Sequence, residues 1–509
     1  MFDHALEESG LLHKLDLVGC ITDAGKEHVR NVLGKISSNA GIIRAKSAFI
    51  DRFQSRLCDD LTPYFQKAAE CEKIIASIDC SGEETDISPV RPSDPASIAT
   101  AQLYFDGAFT KYLNLIPFLV TIVAAFKIYV APIMALALPL LLFVMPYVLL
   151  NGLMGVQIPW ETYKKILFQF ILGINPAEPW SLKQVVKLFW GLLSFGQGIF
   201  QPFMTAYNTY KIRATYHHYA EAIKSYSDTI GELSVIFGKY GLRVPYLPPV
   251  PTDPLVRVQW WKEEEVIRKH YRELLGYYDM LYAFGHNRSW RPVVIGGCAT
   301  VLHEFHDYSI EKCAAVKSTM TLGGHSLLTG PNRGGKSSIM RGILQNILCA
   351  QAFGVTYGAE QVVLGRPYKK IYTRLVSKDA PGSKSLFESD VEFAYDVLRG
   401  STPDTLIMID ELFHSTNPGD AEKSARYFLG QLWRKKAVHS LISTHIFGLL
   451  ESGDLPSNVK KYCCRADVNS DGSLKYHYRC EEGLCMVSSV GEVWASVRSS
   501  QVRTLQNIS

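Results

Sequence analysis

The sequence lacks the patterns of a disulfide-built or zinc-ribbon protein. Its eleven cysteines include no C-x-x-C pair and no cysteine–histidine blocks at zinc spacing, and such an odd, scattered set is typical of reduced thiols in a cytosolic compartment. The N-terminal stretch MFDHALEESGLLHKLDLVG has neither the basic start nor the apolar core of a signal peptide. A secreted protein is therefore not expected.

The chain also has little net charge and little of the composition that promotes disorder. Lys plus Arg total 53 against 49 Asp plus Glu, a net charge of +4. This is mild for a nucleic-acid-binding protein, whose basic residues more often cluster on one face. Hydrophobic residues make up 47% and charged residues 20% of the 509 positions, which is enough apolar material for the cores of about two to four domains.

Four blocks of different composition follow one another along the sequence. Residues 1–105 are polar, largely helical by period, and close in a polar linker, whereas residues 106–211 are strongly apolar. Residues 212–290 return to charged helical patterns, and short apolar runs alternate with helical patterns over residues 291–509. We predict an α-helical core or lever domain in two halves, interrupted by an apolar helical hairpin and followed by an α/β domain. Helical periods stand out over residues 51–78, 214–240 and 256–284.

The apolar block is long enough to enter a membrane. Residues 128–160 contain no charged residue, and a second uncharged run, residues 188–210, is more polar. About 20 apolar residues suffice for a helix to cross the hydrocarbon core. The prolines at positions 132, 139 and 146 would kink a soluble helix but are better tolerated in membrane spans. Membrane insertion is therefore favoured over the alternative, a buried helical hairpin in a soluble core.

The basic residues around this block predict a hairpin whose two ends lie on the cytosolic side. Its spans would cover residues near 128–150 and 188–207, with a far-side loop around residues 157–187. The loop itself holds four lysines, so a re-entrant hairpin that never emerges is the alternative. The cytosolic base would be marked by Lys111, Lys127, Lys211 and Arg213.

A phosphate-binding motif lies at residues 330–337. GPNRGGKS fits the pattern G-x-x-x-x-G-K-[ST], and it stands between a strand-like run at residues 325–329 and a helical pattern at residues 338–352. The glycines let backbone N–H groups close around phosphate oxygens, the lysine supplies positive charge, and the serine can ligate Mg²⁺. The candidate nucleotide-binding residues form one run: Gly330, Pro331, Asn332, Arg333, Gly334, Gly335, Lys336, Ser337 and Ser338.

Two carboxylates follow a second predicted strand. Residues 405–409 are apolar enough for a buried parallel strand, and Asp410 and Glu411 stand at its C-terminal end. Asp410 would hold the Mg²⁺ shell together with Ser337, and Glu411 would polarise the attacking water. The alternative, that the two residues merely start a helix, is disfavoured by the phosphate motif upstream. We therefore expect ATP and Mg²⁺ as cofactors.

A third strand, residues 440–443, ends at Thr444 and His445. A histidine beside a γ-phosphate can sense its charge by donating a hydrogen bond. A simple surface histidine is the alternative, but the position at the end of the strand that follows the acidic pair favours a functional one. The candidate catalytic residues are thus Glu411, His445 and Lys336.

Together these segments resemble the MutS family of DNA mismatch-repair ATPases, a branch of the ABC-type ATPases. TGPNRGGKSS is similar to the family's TGPNMGGKST, LIMIDELFHSTNPGD to its Walker B segment, and STH to its A/S-T-H switch. GSKSLF, at residues 382–387, resembles the family's G-R-S-T-F loop, and CEEGLCMVSSVGEVWASV resembles its closing strand and helix. Upstream, residues 15–50 resemble the start of the family's core domain, and residues 273–284 resemble the end of its lever helices.

The resemblance implies a head-to-tail dimer around two composite ATP sites. In the family, the serine of the G-R-S-T-F loop reaches the partner subunit's γ-phosphate, which makes Ser385 the candidate that acts on the neighbouring site. The implied partner is a second copy or a related MutS-like subunit, and the implied ligand is mismatched or branched DNA. Together with the apolar block, this predicts a membrane protein whose ATPase domain lies on the cytosolic, nuclear or organelle-interior side.

The sequence departs from the family in the regions that contact DNA. It begins at the core, so the mismatch-reading and connector domains are not expected, and no Phe-x-Glu triplet occurs. The apolar block occupies the place of the clamp that grips DNA, where contacts to phosphates require Lys and Arg. The alternative function is therefore a membrane-anchored, ATP-switched scaffold whose ligand is not DNA.

Overall fold

The structure is a computed structural model. It describes residues 2–79, 103–105, 110–116, 118–172, 181–311, 313–375, 386–411, 413–446, 448, 455–469 and 473–487. It divides into two compact units, Met1–Thr62 with Leu275–Ser509, and Pro63–Leu274. These boundaries differ from those of the four blocks expected from composition, and the four-block division stays a prediction.

The strands belong to the first unit, which is an α/β structure as predicted. In chain order they are β1 (Trp290–Pro292), β2 (Val294–Ile295), β3 (Thr300–Phe305), β4 (Ser318–Leu322), β5 (His325–Thr329), β6 (Val355–Tyr357), β7 (Gln361–Leu364), β8 (Lys370–Arg374), β9 (Thr405–Ile409), β10 (Val438–Ser443), β11 (Val459–Val468) and β12 (Leu474–Glu482). The strands predicted before the phosphate motif, the acidic pair and His445 are present as β5, β9 and β10.

The main sheet has the strand order β12-β11-β5-β10-β9-β8. Strands β11, β5, β10, β9 and β8 are parallel to their neighbours, and β12 runs antiparallel to β11. A second sheet has the order β2-β7-β3-β4, and β1 pairs with β6. Because the parallel strands point the same way, the segments that follow β5, β9 and β10 meet at one edge of the main sheet.

The helices are, in chain order, α1 (Asp3–Ser9), α2 (Asp23–Leu33), α3 (Ala40–Arg56), α4 (Thr62–Asp79), α5 (Leu119–Leu153), α6 (Trp160–Leu172), α7 (Leu182–Lys239), α8 (Pro254–Glu263), α9 (Glu265–His286), α10 (Lys336–Phe353), α11 (Leu386–Gly400) and α12 (Pro418–Leu432). Short 3₁₀ helices cover Leu11–Val18 and Lys111–Leu115, and α5 contains π-helical turns at Phe126–Val130 and Leu149–Leu153.

The central strands of the main sheet, β5, β10 and β9, are buried on both faces. Leu406 and Met408 of β9 join an apolar cluster that includes α10, whereas Ile407 and Ile409 join a second cluster formed with α11 and α12. A strand covered on both faces has no polar side, which explains why the sequence of β9 is apolar without alternation.

The N-terminal helices pack against the end of α9 within the first unit. The buried carboxylate of Asp279 accepts hydrogen bonds from the backbone N–H groups of Ile21 and Thr22, at 3.0 and 2.8 Å, and from the Thr22 hydroxyl at 2.7 Å. Gly276 fits closely here, because a Cβ at this position would lie 2.4 Å from the carbonyl oxygen of Ala24. These contacts connect residues more than 250 positions apart in the sequence.

Three predicted helices have different limits in the structure. The period over residues 51–78 is interrupted between α3 and α4, where the Asp60 side chain accepts the N–H of Thr62 at 3.0 Å. The period over residues 256–284 is interrupted at Glu264, whose φ of −92° and ψ of 69° are not helical. Conversely, the apolar run at residues 188–210 and the helix predicted at 214–240 form one 58-residue helix, α7.

The second unit contains α5, a 35-residue helix that is long and apolar enough to cross a membrane by length and composition. Among the described residues no other helix passes this test. The second predicted span, residues 188–207, lies in the more polar α7, which packs against α5. At one end of this pair, Thr121 of α5 bonds Asp253, the N-cap of α8, at 3.0 Å. Arg257 of α8 donates to the carbonyl oxygen of Ala220 in α7 at 2.8 Å.

Candidate active site

The phosphate motif forms the turn between β5 and α10. Gly330 has a φ of +144°, and a Cβ there would lie 2.6 Å from the carbonyl oxygen of Cys464, so only glycine fits this position. Gly335, with a φ of +94°, precedes the first residue of α10. The motif thus ends at a helix N-terminus, where free N–H groups and the helix dipole favour an anion.

The lysine of the motif is held inside the turn. Lys336 is 5% exposed, and its Nζ donates to the carbonyl oxygens of Gly330 and Pro331, both at 3.2 Å. Burial lowers the pKa of Lys336, whereas the carboxylates of Asp410 and Glu411 act in the opposite direction. A buried ammonium beside carbonyl oxygens is a suitable partner for the negative charge of a phosphate group.

Asp410 connects the phosphate motif to the next two strands. Its Oδ2 accepts a hydrogen bond from the Ser337 hydroxyl at 2.5 Å, and its Oδ1 accepts one from the Ser443 hydroxyl. The Asp410 N–H donates to the carbonyl oxygen of Arg374, the last residue of β8, at 2.9 Å. The predicted metal-binding residues, Ser337 and Asp410, are therefore in direct contact.

Glu411 and His445 face each other across the edge of the sheet. Nε2 of His445 lies 3.6 Å from Oε1 of Glu411, slightly beyond hydrogen-bond length. The His445 ring is the main cause that lowers the pKa of Glu411, and burial opposes it. Nε2 is buried without a hydrogen-bond partner among the described residues. Glu411 has a positive φ of 55°, and its N–H donates to the Ser443 hydroxyl at 3.0 Å.

The remaining predicted site residues line the rim of the turn or lie elsewhere. Asn332 and Arg333 are exposed, Ser338 is half-buried in the first turn of α10, and Pro331 and Gly334 are buried. Arg333 has a positive φ of 65°. Ser385 lies outside the described residues.

Two residues of the site were not among the predicted site residues. Ser443 is fully buried and bonds both acidic residues; in the sequence it is the first residue of the STH segment, where only His445 was given a role. Tyr478 of β12 lies beside the phosphate turn, because a Cβ at Gly335 would lie 3.5 Å from its ring. Tyr478 is 47% exposed, and its ring stacks on Tyr476. The ring therefore offers a flat surface next to the phosphate turn, on which the base of a nucleotide can stack.

A salt bridge supports the loop that follows Glu411. The guanidinium of Arg374 lies 2.6 Å from Asp390 in α11, and the Ser415 hydroxyl donates to the same carboxylate at 3.0 Å. Asp390 is 6% exposed. The pair therefore ties β8, α11 and the loop between Glu411 and α12 together beside the candidate site.

The comparison with known families agrees with this geometry. Residues 326–501 match the family model described as MutS domain V, the ATPase domain of the MutS family. The match contains the phosphate turn, the acidic pair and His445, and an ATPase domain of this kind implies nucleotide binding. Over residues 326–501 the chain is therefore similar to the ATPase domain of the MutS family.

Proposed function

We propose that the protein is a Mg²⁺-dependent ATPase that works as an ATP-switched dimer at a membrane. The observation that supports the chemistry is the meeting of three strand ends at one edge of the main sheet. There the Ser337 hydroxyl bonds Asp410 at 2.5 Å, and Glu411 lies 3.6 Å from His445. We assign one group to each task of phosphoryl transfer: the turn to phosphate binding, Ser337 with Asp410 to the metal ion, and Glu411 to the role of general base.

The triphosphate would bind on the turn at the start of α10. Its oxygens would accept hydrogen bonds from the backbone N–H groups and from Lys336, whose ammonium would exchange its contacts with the turn carbonyls for contacts with phosphate. The adenine ring of the nucleotide would stack on the exposed face of Tyr478. This arrangement binds nucleotide chiefly through its phosphates.

Ser337 and Asp410 suit Mg²⁺, which prefers hard oxygen ligands and usually keeps only one or two protein ligands beside substrate phosphates. Among the described residues no three or more His, Cys, Asp or Glu side chains cluster as a metal site. Bound here, Mg²⁺ would neutralise charge on the β- and γ-phosphates.

Glu411 would act as the general base. The influence of His445 keeps the pKa of Glu411 below its ordinary value, so the carboxylate is charged at neutral pH and can accept a proton from the attacking water. Nε2 of His445, which forms no hydrogen bond among the described residues, would donate one to the γ-phosphate and report its presence.

Nucleotide binding tests these roles separately. Lys336→Ala should raise the Kd for a fluorescent ATP analogue at least about tenfold, because phosphate charge loses its partner. Ser337→Ala should weaken binding with Mg²⁺ present and leave binding in EDTA unchanged. The exposed Lys317 provides a control, Lys317→Ala, with wild-type affinity. Equal losses for Ser337→Ala with and without Mg²⁺ would contradict its role as a metal ligand.

The dimer proposal rests on Ser385 and is tested by complementation. If Ser385 completes the neighbouring site, mixing Ser385→Ala with Glu411→Gln gives dimers with one site damaged twice and one site intact. Such mixtures should recover more ATP turnover per chain than either variant alone. No recovery, despite demonstrated subunit exchange, would indicate an ATPase that acts within one chain.

The surface of α5 supports the membrane proposal. Its apolar side chains are exposed over more than half of the helix circumference, and no charged residue occurs from position 128 to 160. A helix that faced water would present a polar side instead. The exposed residues include Ile133, Met134, Leu136, Leu138, Leu140, Leu141, Val144, Met145 and Val148.

Aromatic residues mark two levels on both helices of the hairpin. On α5, Tyr129 and Tyr147 are eighteen residues apart, about 27 Å along a helix. On α7, Trp190 and Tyr207 are seventeen residues apart, about 26 Å. Tyr147 also makes an edge-to-face contact with Trp160 at the start of α6, with ring centroids 4.8 Å apart. The spacing between the two aromatic levels is close to the thickness of the hydrocarbon core, about 30 Å. This spacing favours a helical hairpin that crosses the membrane completely over a re-entrant one.

Single exposed cysteines test this topology. Thr162 lies on α6 and Thr215 lies on α7 beyond the apolar run, and both are exposed; the exposed Ser457 marks the ATPase domain. In sealed vesicles, an impermeant maleimide should label Thr215→Cys and Ser457→Cys from one side and Thr162→Cys from the other. Labelling of Thr162→Cys from the same side would indicate a re-entrant hairpin, and extraction of the protein by carbonate would contradict membrane insertion.

The apolar surface also favours a second candidate function, a scaffold whose ligand is not DNA. A protein that binds DNA phosphates releases counterions from the DNA, so the affinity falls steeply as the salt concentration rises. We expect no salt-dependent binding to duplex, branched or mismatched DNA at physiological salt, with or without ATP. Binding to branched or mismatched DNA that changes with ATP would instead support the DNA clamp of the MutS family.

A further inference from the structure

A narrow polar stripe runs along α7 within its apolar segment. Gln197, Gln201 and Asn208 are exposed, and the half-buried Thr205 lies between the last two. With 3.6 residues per turn, these four positions fall within an arc of about 80° of the helix. The stripe is therefore one continuous face and not a scatter of polar residues.

This face differs from the two other sides of α7. The buried residues of the segment, Ala206 and Thr209, point away from the stripe by roughly 110° on average. Large apolar residues such as Phe200, Phe203 and Tyr207, all exposed, occupy a third side. The stripe is thus an exposed surface of its own, separate from the buried side and from the apolar side.

The side-chain amides of the stripe indicate which kind of surface would bind to it. Amides that face lipid chains are costly because nothing there accepts or donates a hydrogen bond. Within the described residues, no hydrogen bond is formed by the side chains of Gln197, Gln201 or Asn208. A primary amide carries both donors and an acceptor, so the same amide on another helix complements it fully.

We propose that α7 pairs with α7 of a second copy along this stripe, inside the membrane. Two copies inserted in the same orientation are related by a twofold axis along the membrane normal, which brings each glutamine opposite the same glutamine. The inference rests on the proposed membrane insertion. It gives the dimer a contact that is separate from the nucleotide sites.

Disulfide crosslinking in membranes tests the pairing. Gln201→Cys and Gln197→Cys are compared with Phe203→Cys, an exposed position on the apolar side of the same helix. The background has Cys58, Cys80, Cys298 and Cys313 changed to serine. A disulfide needs Cα atoms about 5.5 Å apart. Oxidation in washed membranes should give at least about fivefold more crosslinked dimer at the two glutamine positions than at Phe203.

The outcomes distinguish a failure of the α7 pairing from a failure of the proposed membrane insertion. Equal crosslinking at Phe203, or none at the glutamines while the protein resists carbonate extraction, would overturn the pairing and leave membrane insertion intact. Extraction by carbonate would remove membrane insertion itself. As a check that needs no cysteine, Gln197→Leu with Gln201→Leu should lower the dimer fraction in mild detergent at unchanged ATP affinity. An unchanged dimer fraction would also contradict the pairing.

Discussion

Replacing Ser443 by alanine removes the hydrogen bonds that join the acidic pair to β10. The fully buried hydroxyl donates to Asp410 and accepts the N–H of Glu411 at 3.0 Å. A hydrogen bond to a charged group contributes about 1.5–3 kcal/mol and a neutral one about 1 kcal/mol. Since the two bonds share one hydroxyl, we expect the free energy of unfolding to fall by about 2–3 kcal/mol.

Turnover should fall more than nucleotide binding. Without Ser443, the carboxylate of Asp410 and the backbone of Glu411 lose the restraint that fixes them at the edge of the sheet. A tenfold change in rate corresponds to about 1.4 kcal/mol of activation free energy. If part of the lost hydrogen-bond energy is lost in the transition state, kcat falls about ten- to hundredfold. The Kd for ATP in EDTA should stay within about twofold, because Lys336 and the phosphate turn are unchanged.

Ser326 provides the matched control for this prediction. It is a buried serine of β5 in the same sheet, 1% exposed, and its hydroxyl has no hydrogen-bond partner among the described residues. Ser326→Ala should therefore keep wild-type turnover and stability. Phosphate release and urea unfolding are measured on both variants. If Ser443→Ala behaves like Ser326→Ala, the hydroxyl does not position the acidic pair.

Three further variants test other parts of the structure. Gly330→Ala should lose ATP binding and about 1–3 kcal/mol of stability through strain at a φ of +144°, whereas Gly324→Ala, with open space around its Cβ, should change neither quantity in titration and unfolding assays. Asp279→Asn should lower the free energy of unfolding by about 2–4 kcal/mol, because an amide replaces one acceptor oxygen among three donors; wild-type stability in urea would contradict this. Burial lowers the pKa of His439 below its ordinary 6.5, so stability is full above pH 6.5 and falls as the pH drops towards the folded-state pKa, by up to about 1.4 kcal/mol per pH unit. His439→Gln should flatten this part of the profile of Tm against pH, and an equally steep profile would exclude His439 as its cause.

The sequence predicted those parts of the fold and site whose signal is local. The strands β5, β9 and β10 and the start of α10 are anchored by motifs, so their limits agree with the prediction within two residues. The contact of Ser337 with Asp410 also follows from sequence, since parallel strands place their carboxyl ends together.

The features that sequence analysis missed depend on contacts between distant residues. Ser443 and Tyr478 acquire their places only when β10 and β12 join the sheet. The interruption before α4 depends on Asp60, which bonds Tyr282 at 2.9 Å, more than 200 residues away. The continuity of α7 past Lys211 was missed because a change from apolar to charged composition resembles an element boundary, although neither residue type breaks a helix.

ATP turnover by Glu411→Gln, measured beside ATP binding, tests the central claim most directly. The amide keeps the size of the side chain but cannot accept the proton of the attacking water. We predict a Kd for Mg²⁺-ATP within about threefold of wild type and a kcat at least about hundredfold lower, with the exposed Glu360→Gln unchanged in both. Wild-type turnover by Glu411→Gln would contradict the assignment of Glu411 as the general base.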